Sequence, residues 1–417
     1  MSPETIAAAP TKTAFNVERF DRYVMTTYGR FPIALEKGRG CRVWDTEGRE
    51  YLDFVAGIAT CTLGHAHPVA IEAVTQQMQT LHHVSNLYYN VPQGELAEWL
   101  VKNSCADRAF FCNSGAEANE GAIKLVRKYA NTVRNIEDSV ILTAKASFHG
   151  RTVATITATG QPKYQKNFTP LVPGFDYVPY NDIAALEAAL AKHGEKVAGI
   201  MLEAIQGEGG VRPGDKAYFQ RVRELCDERD ILLVIDEVQA GMGRTGKTWG
   251  YENLGIEPDV FTSAKGLGGG IPIGALMTKE HCNVLKPGDH ASTYGGNPFV
   301  CAVALSVCKT LDSDDLRTNA YERGEQLRAG LQAIAADYSN DIEQVRGWGL
   351  IDGLVIREES SVTAIEVVKA AMAKGLLLVP AGPKVVRFVP PLIVTAEEID
   401  LALQATREAL AETLGRA

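Results

Sequence analysis

Residues 231–275 read ILLVIDEVQAGMGRTGKTWGYENLGIEPDVFTSAKGLGGGIPIGA. An apolar β-type run ends in Asp236, and a second run, DVFTSA, ends in Lys265 and a glycine cluster. Two buried strands thus deliver a carboxylate and an amine to their carboxyl ends, where ligands sit in open α/β sheets. The pair predicts Lys265 as a Schiff-base lysine for pyridoxal phosphate and Asp236 as the partner of the pyridine nitrogen.

The same stretch matches a second pattern. Gly241 to Thr248 fits G-x-x-x-x-G-K-[ST], and the acidic end of the preceding strand looks like that of a nucleotide hydrolase. A phosphate loop must follow its strand directly and open a helix, so that N–H groups and the helix dipole face the phosphates. Here Asp236 and Glu237 precede the glycines and would repel phosphate. The following WGYENLGIEP carries Gly250, Gly255 and Pro258 at poor spacing for a helix. A P-loop ATPase is therefore kept only as the alternative from another functional class.

Outward from this stretch, strand-type and helix-type segments alternate. Residues 43–54 read as a hairpin around Glu47-Gly48, and helical periodicity follows over 69–81 and 94–101. AFFC then leads through NSGAE into a helix capped by Ser114. SVILTAKAS and VAGIMLEAI read as strands, and DIAALEAALAKHG and KAYFQRVRELCDERD as helices. Such alternation over about 200 residues argues for a parallel sheet with helices on both faces. Past Cys301, long charged helices (316–338, 363–374, 396–414) surround short runs such as GLIDGLVI, LLLVP and VVRFVPPL. This predicts a smaller α+β domain completed by the N-terminal segment. The expected division is 1–60 and 313–417 for the small domain and 61–312 for the large one.

The bulk numbers exclude several classes. The chain has 417 residues, 46% of them hydrophobic, and a formal charge of −9. That charge, without a basic cluster, argues against nucleic acid. No apolar run is long enough to span a bilayer. The opening MSPETIAAAPTKTAF lacks the regions of a secretion signal and is expected to be a loose tail. The eight cysteines are scattered without a CxxC pair, as expected of free buried thiols in a reducing, cytoplasmic setting. GHAHP, with His65 and His67, reads as a turn before a helix, and no metal site is expected.

Three further groups carry candidate chemistry. Small residues in Asn113-Ser114-Gly115-Ala116-Glu117 allow backbone N–H groups to approach an anion at a helix N-terminus. Phe148 and Arg151, after a strand, have the types needed to stack on a flat ring and to grip a carboxylate. Glu203 and Glu208 flank a strand end, and Arg387 sits in VVRFVPPL. Each group also has an ordinary structural reading, as a helix cap, a core aromatic or a surface charge.

Taken together, NSGAEANE, FHGRT, EAIQGEGG, LLVIDEVQAGMGRTGK, SAKGLGGGIPIGA, STYGGNP and RFVPPL, in this order and spacing, resemble the class III (ω-amino acid) aminotransferases. The likeness runs from about Tyr28 to the C-terminus. It implies a fold-type I pyridoxal-phosphate-dependent transferase with a mostly parallel seven-stranded sheet. Residue by residue, it implies Lys265 and Asp236 as catalytic groups. The implied cofactor set is Ser114, Gly115, Ala116, Phe148, Asp236, Val238, Gln239, Lys265 and Thr293, with Gln239 on the ring hydroxyl and Thr293 reaching the neighbouring subunit's cofactor in a homodimer. Tyr28, Arg151, Glu208, Ser292 and Arg387 are implied to bind substrate. Ala204 departs from the proline that many members carry there. Within the class, WDTEGREYLDFVAGIATCTLGHAHP and STYGGNPFVCAVA are most similar to the branch acting on N2-acetyl-L-ornithine. This implies transfer of its distal amine to 2-oxoglutarate, a step of arginine biosynthesis. 4-Aminobutyrate, ornithine and succinylornithine remain alternative donors.

Overall fold

The computed structural model describes residues 16–415, and the expected N-terminal tail lies outside them. A seven-stranded sheet forms its centre, in the order Arg108–Cys112, Gly274–Thr278, Val260–Ser263, Leu232–Asp236, Val197–Glu203, Val140–Ala144, Phe175–Val178. Six strands run one way, and Gly274–Thr278 runs against both of its neighbours. Val197–Glu203 and Leu232–Asp236 are buried at every position, as expected of parallel strands covered on both faces. The reversal follows from the Lys265 turn. Only residues 264–273 separate Val260–Ser263 from Gly274–Thr278, too few for the crossover that a parallel partner requires.

Helices cover the sheet. Gly115–Thr132 buries nine residues against it, and the Ser114 side chain caps its start by accepting from Glu117 N. Asp182 and Asp215 cap Ile183–His193 and Lys216–Arg229 in the same way. By contrast, Pro68–Thr80 has no buried residue although six of its positions are apolar Ala, Val, Ile or Met.

Two smaller sheets flank this layer. The antiparallel strands Leu35–Arg39, Arg42–Asp45 and Glu50–Asp53 join Leu376–Leu377, so the start and end of the chain share one sheet. Ile342–Trp348, Ile351–Ile356, Val385–Phe388 and Val379–Pro380 form the other. Leu316–Asp337, Ala364–Ala373 and Ala396–Thr413 accompany them, the last two opened by Thr/Glu capping boxes.

The loop of residues 241–248 overturns the nucleotide-binding alternative. No α-helix follows it, only the short 3-10 turn Gly250–Leu254. Gly241 to Thr245 are buried, and Arg244 donates to the carbonyls of Leu350 and Pro390. Its N–H groups face protein rather than an open phosphate site. All eight cysteines are free, with Cys61 and Cys105 half-buried and the rest buried. Among the described residues, no helix is long and apolar enough to cross a membrane, and no cluster of His, Cys, Asp and Glu could hold a metal ion. His65 instead pairs with Asp53 at 2.7 Å.

Candidate active site

A cavity of about 600 Å³ opens at the carboxyl ends of the central strands. Asp236 ends its strand there, beside Glu203, its register partner on the next strand. Lys265 enters from the other side, two residues past Val260–Ser263, with its backbone at φ +40°. Few side chains adopt that conformation, so the turn holds the lysine in a strained geometry. Burial pushes the amine below the ordinary lysine range; Glu208 and Asp236 oppose the shift, and Arg387 adds to it.

Asp236 is held by three donors. Oδ2 accepts from Asn119 Nδ2 and His149 Nδ1, each at 2.8 Å, and Oδ1 accepts from Val238 N at 3.0 Å. Asn119 is fixed in turn, donating to His149 O and accepting from Thr262 Oγ1 at 2.7 Å. His149 is buried, and its Nε2 has no partner among the described residues. Burial, then the charge of Asp236, drives the Glu203 carboxyl well above its usual range, and Glu203 accepts from Phe148 N at 3.2 Å.

At one end the cavity meets the N-terminus of Gly115–Thr132, lined by Asn113, Ser114, Gly115 and Ala116. A methyl group on Gly115 would stand 2.7 Å from Val238 Cγ1. The glycine therefore keeps backbone, Val238 and cavity in contact. Arg151 lies over the Tyr164 ring at 4.0 Å and near Phe148 at 5.4 Å, while Phe148 meets Tyr164 edge-on. Tyr28, largely exposed, lines the rim.

Deeper lies an ion pair. Arg387, fully buried, donates through Nη1 to Glu208 Oε1 at 2.7 Å and to Gln239 Oε1 at 2.8 Å. Its Nε and Nη2 have no partner among the described residues. Burial raises the Glu208 carboxyl, but the Arg387 charge and hydrogen bond more than offset this and hold it low. Glu208 and Gln239 line the cavity, with Arg387 bonded to both.

The pattern of the class III aminotransferases matches residues 23–410. The chain is a class III aminotransferase. It is 66% identical to the acetylornithine aminotransferase of Nostoc sp., over 98% of this chain and 96% of that one. It is 68% identical to the acetylornithine aminotransferase of Thermosynechococcus vestitus, over 97% and 98%. Among solved structures it is similar to the N-acetylornithine aminotransferase of Stenotrophomonas maltophilia, with TM-score 0.82, 42% identity and coverage of 94% and 98%. It is similar also to the ornithine aminotransferase of Toxoplasma gondii, with TM-score 0.91, 34% identity and 96% of both chains covered.

As a class III aminotransferase it is pyridoxal-phosphate-dependent, and the residues present fit that group. The tight Gly115–Val238 contact leaves the helix N-terminus open to an anion, while an amine and a carboxylate line the same cavity. The cavity gathers Tyr28, Ser114, Gly115, Ala116, Phe148, Arg151, Glu208, Asp236, Val238, Gln239 and Lys265. Three residues fall outside its lining: Arg387, which lies behind Glu208 and Gln239, and Ser292 and Thr293. Thr293 is exposed, and Ser292 Oγ accepts from Asn113 Nδ2 at 3.2 Å and Gly295 N at 2.9 Å of its own chain. Sequence reasoning passed over Asn119, His149 and Tyr164. Asn119 carries a signal, since it lies one helical turn past Gly115. His149 lies between Phe148 and Arg151 in FHGR, whereas Tyr164 arrives from a separate short helix and had no signal.

Proposed function

We infer that this class III aminotransferase moves the distal amino group of N2-acetyl-L-ornithine to 2-oxoglutarate, giving N-acetyl-L-glutamate 5-semialdehyde and L-glutamate. The carrying observation is Arg387, buried beside Glu208 with two donors unused. A pocket for two donors, one presenting a terminal amine and one an amine next to a carboxylate, needs a cation that can be masked and unmasked. The high identity to acetylornithine aminotransferases over nearly the whole chain supports the same donor.

The residues divide the work as follows. Pyridoxal phosphate, when bound, supplies an electron-accepting ring and a carbon that takes up and releases the amino group. Ser114, Gly115 and Ala116 bind its phosphate at the helix N-terminus. Asp236, oriented by its three donors, would hold the ring nitrogen and favour its protonated form by a charge-assisted bond. Phe148, Val238 and Gln239, which line the same cavity, would hold the ring. Lys265 would hold the cofactor, and its amine would carry a proton to and from the substrate carbon. Its low basicity leaves more of the amine free to accept a proton near neutral pH. Arg151 and Tyr28 hold the remote carboxylate.

The reading includes a homodimer in which Ser292 and Thr293 serve the neighbouring subunit's site. The unburied helix Pro68–Thr80 and the exposed Leu87, Tyr88 and Tyr89 support it, since large apolar side chains left exposed are what an interface covers. It also places the enzyme in the cytoplasm, where its eight free thiols stay reduced.

The deciding experiment is steady-state kcat/KM over acetylornithine, ornithine, succinylornithine and 4-aminobutyrate with 2-oxoglutarate as acceptor. Acetylornithine should lead by about tenfold or more, which is about 1.4 kcal/mol of transition-state discrimination. A higher value for any of the other three would replace the donor.

A further inference from the structure

The phosphate-loop look-alike is left without a task by the chemistry above, yet its arginine occupies an unusual place. Arg244 is buried, and among the described residues its guanidinium donates to main-chain carbonyls. Nη1 donates to Leu350 O at 3.0 Å and to Pro390 O, and Leu350 N returns a bond to Arg244 O at 2.9 Å. Leu350 immediately precedes Ile351–Ile356, and Pro390 lies two residues past Val385–Phe388. These strands are neighbours, with Gly353 opposite Arg387. One guanidinium therefore ties down the ends of both strands that position Arg387.

The loop is pressed onto this sheet at a second point. A methyl group on Gly349 would stand 2.5 Å from Thr245 C and 2.6 Å from Arg244 O, and Gly349 has φ +53°. Five residues before Arg244, Gln239 bonds Arg387 directly. From the far side, Leu392 N donates to Thr62 O, and Thr62 Oγ1 donates at 2.8 Å to Gly266 O in the Lys265 turn. The segment after Arg387 is thus anchored to the loop after Asp236 and to the turn that carries Lys265. A buried cation without a carboxylate is costly to keep, and burial does push the Arg244 guanidinium down to about 9. If filling space were its only task, an apolar side chain would serve at lower cost.

We propose that Arg244 is a positioning residue that sets the placement of Arg387 relative to Lys265. Through it the enzyme accepts substrates whose carboxylate lies next to the reacting carbon. The inference rests on the assignment of Arg387 as the grip for that carboxylate. It predicts selective damage. Glutamate and 2-oxoglutarate depend on Arg387, whereas acetylornithine is held by its remote carboxylate.

The test uses the intact holoenzyme with Arg244→Lys, Gly349→Ala and, as control, Arg387→Ala. Arg244→Lys keeps the charge but loses the planar guanidinium whose Nη1 meets both carbonyls. Gly349→Ala leaves Arg244 in place and wedges the contact open. Both should raise KM for glutamate and 2-oxoglutarate about tenfold, with the single-turnover rate for acetylornithine within about twofold of wild type. The calorimetric Kd for glutarate, a dicarboxylate with no group to transfer, should rise in parallel. Equal losses in both half-reactions, or no change in either, would overturn the proposal. Insolubility of both variants would make Arg244 a folding residue and overturn it too. If Arg387→Ala itself spares glutamate, the assignment of Arg387 fails; if it does not and Arg244→Lys does, only the positioning role fails.

Discussion

His149 Nδ1 lies 2.8 Å from Asp236 Oδ2, inside a network that also joins Asn119 and Thr262. Because the carboxylate can only accept, His149 must carry its proton on Nδ1, which fixes the tautomer. Asp236 cannot rotate without losing at least one of three bonds. The relation gives the carboxylate one orientation toward the cavity before any ligand arrives.

Asp236→Asn should therefore be more damaging than loss of charge alone. Its amide would set an N–H either against Val238 N or against the donors of both Asn119 and His149, besides removing the charged partner of the ring nitrogen. The expected result is retained cofactor absorbance with kcat lower by roughly a hundredfold or more. His149→Gln, which leaves the carboxylate in place, should lose less. Near-wild-type turnover in Asp236→Asn would move the nitrogen partner elsewhere.

Lys265 is expected to hold the cofactor, so the purified protein should be yellow. Borohydride should fix the label there, and peptide mapping that placed it on Lys247 or Lys279 would refute the assignment. A pH dependence follows from the lowered basicity of the amine. A depressed lysine pKa means that the free base appears at lower pH than in free lysine. Acylation of Lys265 in the cofactor-free protein should thus rise with pH with a midpoint below that of the free amino acid. A midpoint at or above it would show that burial does not govern this amine.

Gly115 offers a packing test. Gly115→Ala would force a methyl group to within 2.7 Å of Val238 Cγ1 and 2.9 Å of Cγ2. Something must shift, either the helix N-terminus or Val238, and both line the cavity. Pyridoxal phosphate affinity should fall by about tenfold or more, equivalent to about 1.4 kcal/mol. Val238→Ala in the same chain should recover part of it by removing the opposing methyls. A double variant as weak as the single one would mean that the damage lies in the backbone rather than in this contact.

The central sheet was legible because its strands are short apolar runs closed by polar residues and its helices carry caps, as at Ser114 and Asp215. Phe175–Val178 escaped notice because it is a four-residue edge strand, mostly half-buried, with Asp176 inside it. Gly274–Thr278 was hidden behind the glycines of the Lys265 turn. At the site, residue types at strand ends announced Asp236, Lys265 and Glu208. The supports of Asp236 did not announce themselves. Asn119 and Thr262 act through contacts between elements 143 residues apart in the chain, and no local pattern encodes that distance.

Subunit sharing is tested by mixing. Thr293 is exposed and lies outside the cavity of its own chain, as expected if it serves a neighbour. Lys265→Ala chains and Thr293→Arg chains should each be impaired as homodimers. Refolded together, they should form hybrids with one intact site, so that random pairing restores about a quarter of wild-type activity. A fully active monomer at high dilution would contradict sharing.

The last prediction concerns how one pocket serves two donors. Acetylornithine presents a distal amine, with its α-carboxylate several bonds away, whereas glutamate presents an amine beside a carboxylate. Arg151 is assigned the remote carboxylate in both cases, and Arg387 the near one of glutamate only. With acetylornithine bound, Glu208 stays on Arg387 at 2.7 Å and masks a charge whose exposure unpaired and buried would cost about 3–5 kcal/mol. With glutamate or 2-oxoglutarate, Glu208 swings away, and the incoming carboxylate finds the unused Nε and Nη2 of Arg387 as well. Arg387→Ala should slow the glutamate single turnover by about a hundredfold while slowing that of acetylornithine by about tenfold or less. Arg151→Ala should slow both. Equal losses for Arg387→Ala in the two half-reactions would leave the pair as a fixed structural bridge and end the switch.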